Sequence, residues 1–148
     1  MLDKPEIEEM LTGTMQIDPD EHSNVGMNPG LLTSTIYAMA GLLYLFRRES
    51  GFRRAVFVSA SVLTLALLVT VPLLDFVILI LASGLVLVSE VLNSAIEAAV
   101  DIAAPDYHPM AKVSKDVAAT ATFLSSIIAT IITLLLLLPV LIARISGG

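Results

Sequence analysis

Residues 76–101, FVILILASGLVLVSEVLNSAIEAAVD, decide how the rest of the chain is read. Residues 76–89 carry no charge, and the apolar run then passes without a break into Glu90, Asn93, Ser94, Glu97 and Asp101. A helix needs about 20 mostly apolar residues to cross about 30 Å of hydrocarbon. The stretch therefore predicts a membrane span whose last turns leave the bilayer. At 100° per residue the five polar positions share an arc of roughly 100°, and Val91, Leu92, Ala95, Ile96, Ala98, Ala99 and Val100 fill the remainder. A helix end that merely emerged into water would scatter its charges around the cylinder. Carboxylates aligned where each costs on the order of a few kcal/mol to bury predict a site facing protein, water or a cation.

Working outward, residues 55–74 contain no charge over twenty positions and residues 117–143 none over twenty-seven. Both are long enough to span. Three spans follow, at about 55–74, 76–100 and 117–142, so the fold class is all-α and membrane-embedded. The Pro72-Leu73-Leu74-Asp75 link is short, which makes the first two spans antiparallel. Residues 31–46 are uncharged but broken up by Thr33, Ser34, Thr35, Tyr37 and Gly41. They predict an amphipathic helix lying on the membrane surface, with a bend at Gly51 before the first span. Residues 101–114 predict a polar loop, and Lys115-Asp116 open the last span.

The chain of 148 residues is 56% hydrophobic and 15% charged, against about 25% charged in an ordinary soluble domain. Its net charge of −6 belongs to residues 1–30, where Asp3, Glu6, Glu8, Glu9, Asp18, Asp20 and Glu21 face Lys4 alone. The remaining residues carry seven acids and seven bases. Residues 1–29 therefore read as an acidic tail too polar to order itself, ahead of a membrane domain over residues 30–148. No nucleic-acid partner is expected. The lack of cysteine removes disulfides and thiolate metal sites. With the N-terminus inside, Lys4, Arg47, Arg48, Arg53, Arg54, Lys112 and Lys115 are cytoplasmic and Arg144 lies outside. The positive-inside rule favours that orientation.

Stacked carboxylates beside an amide suit a hard cation such as Mg²⁺, which takes oxygen ligands and bridges to phosphates. Lys115, at the same membrane depth, would neutralise phosphate oxygens, and the amides at its helix start would attract anions. Neither a G-x-x-x-x-G-K loop nor a protein-kinase glycine loop is present. The residues alone leave two readings open: a Mg-phosphate site, or a non-catalytic subunit whose acids line a cation path.

At these positions the chain resembles the small bacterial integral-membrane diacylglycerol kinase and undecaprenol kinase family. The resemblance rests on E-V-L-N-S-A-I-E-A-A-V-D at 90–101, D-Y-H at 106–108, A-K-V-S-K-D at 111–116 and R-R-E-S-G-F-R around Glu49. It implies three membrane helices plus a surface helix, a homotrimer with shared active sites, and a multi-pass protein of the bacterial plasma membrane. It also implies transfer of phosphate from ATP to a lipid alcohol at the cytoplasmic face.

By the same resemblance Glu90 is the general base, and Glu49 and Glu97 hold Mg²⁺. Lys115 and Asp116 bind nucleotide together with Tyr37, Asp106, Tyr107, His108, Glu49 and Glu97. Asn93 belongs to the active site, while Phe52, Arg53, Glu90 and Ala119 meet the lipid. Asp101 is given a structural role, and Arg47, Arg48 and Arg54 read as headgroup anchors. The N-S-A-I-E core favours diacylglycerol as acceptor, whereas the H-P-M-A-K loop favours undecaprenol. Three departures stand out. Residues 118–122 read A-A-T-A-T where the family has an A-A-G-A-V type run, Gly30 replaces a frequent arginine, and Thr133 replaces a tryptophan of some relatives.

Overall fold

The computed structural model describes residues 31–146, and all regular structure among them is helical. In chain order these are α1 (Leu31–Arg48), α2 (Ser50–Leu68), α3 (Leu73–Ala103) and α4 (Pro109–Ile145). The acidic tail and Gly30 lie outside the described residues. The chain divides into two units, residues 1–47 and residues 48–148, and the membrane bundle belongs to the second. Within the first, α1 exposes apolar side chains such as Ile36, Tyr37 and Met39.

Helices α2, α3 and α4 are each long and apolar enough to cross a membrane. At 1.5 Å per residue, α3 with 31 residues is about 46 Å long and α4 with 37 is about 55 Å. Both exceed the hydrocarbon thickness. The surplus length carries the polar stripe of α3 and the basic start of α4 past its edge. α3 packs on both neighbours, most extensively on α4.

Two boundaries differ from the sequence reading. The α1–α2 break falls at Glu49, which is extended (φ −93°, ψ 109°), and Gly51 sits inside the first turn of α2. The connection after α3 is also far shorter than residues 101–114. Asp101 is still helical, and α4 begins at Pro109, leaving residues 104–108 as the link. Proline is well placed at a helix start, where its missing N–H would have had no partner. The His108 side chain caps that start, Nδ1 accepting from Met110 N–H at 3.2 Å. Lys115 therefore lies on the second turn of α4, away from the free amides once expected to sit beside it.

The tightest packing is at the far end, around the α2–α3 turn. Ala66, Val69, Leu79 and Leu137 are buried there, with Val62, Phe76, Ile132 and Leu141 packed against them. α2 ends in a Schellman motif: Val71 N–H bonds Ala66 C=O at 3.2 Å and Thr70 N–H bonds Leu67 C=O at 3.1 Å. Thr70 occupies the left-handed position at φ 56°, where glycine is usual and a β-branched residue is strained. Arg144 reaches across, donating to Leu68 C=O at 3.4 Å and Thr70 Oγ1 at 3.5 Å.

Candidate functional site

The polar end of α3 forms the site. Glu90 lies where the apolar run ends, and its carboxylate faces the first turn of α2. That approach depends on Gly51, since a Cβ there would stand 2.7 Å from Glu90 Oε2. Position 51 thus needs the missing side chain for close approach, not for a bend. The charges of Arg54, Glu97 and Glu49 all act on Glu90, so the three glutamates expected at the site share one electrostatic neighbourhood. One turn beyond Glu90, Asn93 Nδ2 donates to Glu97 Oε1 at 2.9 Å. The other end of the Asn93 amide, Oδ1, is buried without a partner.

From Glu90 a groove of about 520 Å³ runs toward the middle of the bundle. Gly51, Arg54 and Glu90 form its polar end, and Val58, Val62, Val86 and Leu134 line its apolar length. Ser59, Ser83, Ser126, Thr130 and Thr133 add hydroxyls to the wall. Along α4 the lining from Ser126 to Leu134 covers about 12 Å at 1.5 Å per residue. An extended hydrocarbon chain fits that shape, with its polar head at Glu90 and Arg54.

Two ion pairs lie further out. Lys115 Nζ pairs with Asp101 across the α3–α4 link, and Lys112 Nζ pairs with Asp116 at 2.8 Å within α4. Both pairs are largely exposed, a setting in which such contacts contribute only about 0–1 kcal/mol. Lys115 is thus held by the one acid given a merely structural role. Asp106, Tyr107 and His108 occupy the exposed link. Tyr37 is exposed on α1, in the other unit.

The lipid-facing expectations fare differently. Phe52 is 4% exposed, and neither it, Arg53 nor Ala119 lines the groove. Arg54 does, together with the hydroxyls of three helices. A helical wheel drawn for one segment cannot show a groove shared by three. Arg54 did carry a signal, standing three residues after Gly51 on the same face of a short-pitched turn.

The site was next tested against the family's cation. Among the described residues no three His, Cys, Asp or Glu side chains converge closely enough to hold a metal by themselves. That arrangement fits Mg²⁺, which is usually held by one or two carboxylates plus substrate phosphates. The Glu97 carboxylate and the orphaned Asn93 Oδ1 offer hard oxygen ligands side by side, and Glu49 adds negative charge nearby.

A membrane-embedded helical bundle with acids at the bilayer edge, a lysine beyond them and an apolar groove ending on a carboxylate defines a class: enzymes that act on lipids at the interface. Comparison with known proteins narrows the class. Residues 36–137 match the family described as prokaryotic diacylglycerol kinase. A diacylglycerol kinase of Synechocystis is 40% identical over 116 residues, covering 78% of this chain and 66% of that protein. A diacylglycerol kinase of Pseudomonas aeruginosa is 36% identical over 68% of this chain and 82% of its own length. An undecaprenol kinase of Bacillus subtilis is 35% identical over 72% of this chain and 86% of its own length. The chain belongs to the prokaryotic diacylglycerol kinase family, and so to the lipid kinases.

Proposed function

We propose that this protein transfers the γ-phosphate of ATP to the primary hydroxyl of diacylglycerol, giving phosphatidic acid and ADP, at the cytoplasmic face of a bacterial plasma membrane. The observation that carries the reading is the groove ending on Glu90. An acyl chain lying along α4 brings a headgroup hydroxyl to the carboxylate at the edge of the hydrocarbon. Glu90 accepts the hydroxyl proton as the oxygen attacks the γ-phosphorus. The new O–P bond forms in line with the breaking bond to the β-phosphate oxygen, which leaves with the electron pair on ADP. Positioning and charge carry most of such a reaction.

Glu97, Glu49 and Asn93 would hold Mg²⁺, which supplies neutralisation of the developing phosphate charge. The Asn93–Glu97 hydrogen bond fixes the carboxylate before substrate arrives. Lys115 serves the phosphates in competition with Asp101. Asp116, Tyr37 and the link residues Asp106, Tyr107 and His108 are assigned to nucleotide, and Arg54 to the lipid headgroup region. Phe52, Arg53 and Ala119 keep a lipid role only through a neighbouring subunit. A homotrimer supports that arrangement physically. Each span leaves most of its surface uncovered in one chain, and partner helices would shield Glu90 and Glu97 from lipid.

Undecaprenol is the second acceptor to consider, because the relative from Bacillus subtilis bears that name at nearly the same identity. Both lipids present a primary hydroxyl at the headgroup plane. Purified protein in mixed micelles, given radiolabelled ATP and each lipid in parallel, decides between them. Label is expected in phosphatidic acid at a rate at least ten times that in undecaprenyl phosphate. The reverse ratio reassigns the acceptor, and label in neither lipid removes the proposed activity.

A further inference from the structure

Two buried polar atoms among the described residues lack hydrogen-bond partners, Asn93 Oδ1 on α3 and Thr122 Oγ1 on α4. Their placement is not independent. α3 and α4 run antiparallel, with Asp101 paired to Lys115 at one level and Glu90 and Ser126 lining one groove at another. Between those two anchors, equal steps along both helices bring Asn93 to the level of Thr122. Thr122 also lies on the face that α4 buries: Ala118 and Ser125, one turn before and one turn after, are 5% and 4% exposed. The helix against which α4 chiefly packs is α3.

The rotamer of Thr122 adds to this. Hydroxyls in membrane helices normally donate to the carbonyl four residues back, as Ser61, Ser89, Ser114, Thr120 and Thr130 do here. Thr122 does not, although its own carbonyl accepts from Ser125 Oγ at 2.9 Å. A buried hydroxyl left this way costs about 1–3 kcal/mol unless a partner is found. Asn93 Oδ1 is an acceptor with the same deficit. The family run A-A-G-A-V places valine where this chain has Thr122, so the hydroxyl is this chain's own addition.

We propose that Thr122 is a positioning residue. Its hydroxyl donates to Asn93 Oδ1, directly or through one water, and so fixes the amide whose Nδ2 holds Glu97. The relay runs Thr122 Oγ1–H to Asn93 Oδ1, then Asn93 Nδ2–H to Glu97 Oε1. Asn93 is then barred from flipping its amide, since a flip would face Nδ2 to the hydroxyl and Oδ1 to a carboxylate. Glu97 is kept in the rotamer needed for a divalent cation. The inference rests on the reading of Glu97 as a metal ligand.

The test is Mn²⁺ binding, followed by the loss of the free-ion EPR signal, to the full-length protein in detergent with a non-hydrolysable ATP analogue. Thr122→Val, close to isosteric, should weaken Mn²⁺ binding about five-fold, as expected for losing one neutral hydrogen bond. Thr122→Ser should restore it. In an Asn93→Ala background Thr122→Val should add nothing. Glu97→Gln is measured alongside and should abolish tight binding. Wild-type affinity in Thr122→Val, with Glu97→Gln still defective, overturns the relay and leaves the metal reading standing. Undiminished binding in Glu97→Gln overturns both.

Discussion

The two ends of the bundle are built on opposite principles. Around the α2–α3 turn, Ala66, Val69, Leu79 and Leu137 are buried, and the carbonyls that end α2 are closed by the Schellman bonds and by Arg144. At the other end three glutamates act on one another, a groove opens beside Glu90, and two polar atoms are buried without partners. The first end holds the helices in register. The second keeps open space, charge and unmet hydrogen-bonding capacity, which are what a substrate with a metal ion can satisfy. Stability and function are therefore separated along the helix axis, and substitutions at the two ends should fail in different ways.

The largest expected effect is at the polar end. Glu90→Gln removes the group placed to take the lipid proton and should lower kcat by about 10²–10⁴-fold, the range for a lost general base. Its elution on size exclusion should match wild type. Near-normal turnover would mean that another group takes the proton. The packed end should give the contrary pattern. Leu79 is 1% exposed, and Leu79→Ala should cost about 2–5 kcal/mol of stability, read as a lower unfolding midpoint in detergent with KM for ATP unchanged. A raised KM with an unmoved midpoint would break the division between the ends. The smallest effect is at Thr70. Glycine there relieves the positive φ at the end of α2 and should raise stability by about 0.5–1 kcal/mol. A fall instead would show that the Arg144 contact to Thr70 Oγ1 outweighs the strain.

How much of this was legible in the sequence follows the same division. Long uncharged runs gave the three spans because hydrocarbon thickness fixes a length that composition alone can report. The stripe from Glu90 to Asp101 was readable because helical periodicity places residues of one segment relative to each other. The Asn93–Glu97 hydrogen bond one turn apart is its direct expression. Helix ends were read less well. Pro109 carried a start signal that the polar composition of residues 101–114 obscured, and α4 consequently begins six residues before Lys115. Gly51 was read as a hinge because glycine often breaks helices, yet its role is to admit the Glu90 carboxylate. What could not be read was anything made by several helices at once. The groove takes its walls from α2, α3 and α4, and the exchange of Phe52 and Arg53 for Arg54 at its mouth depends on how α2 is rotated against its neighbours. The pairing of Lys115 with Asp101 likewise needed the register between α3 and α4.

The central claim is that the groove leading to Glu90 holds the chain of the lipid acceptor. Photolabelling with a diacylglycerol carrying a diazirine within one acyl chain, in proteoliposomes, tests it directly. Mapped by mass spectrometry, the labels should concentrate on Val62, Ser83, Val86 and Thr130, and unlabelled diacylglycerol should compete them away. Labels confined to outward-facing Leu67, Leu81 and Leu135, with the groove residues bare, would contradict the account.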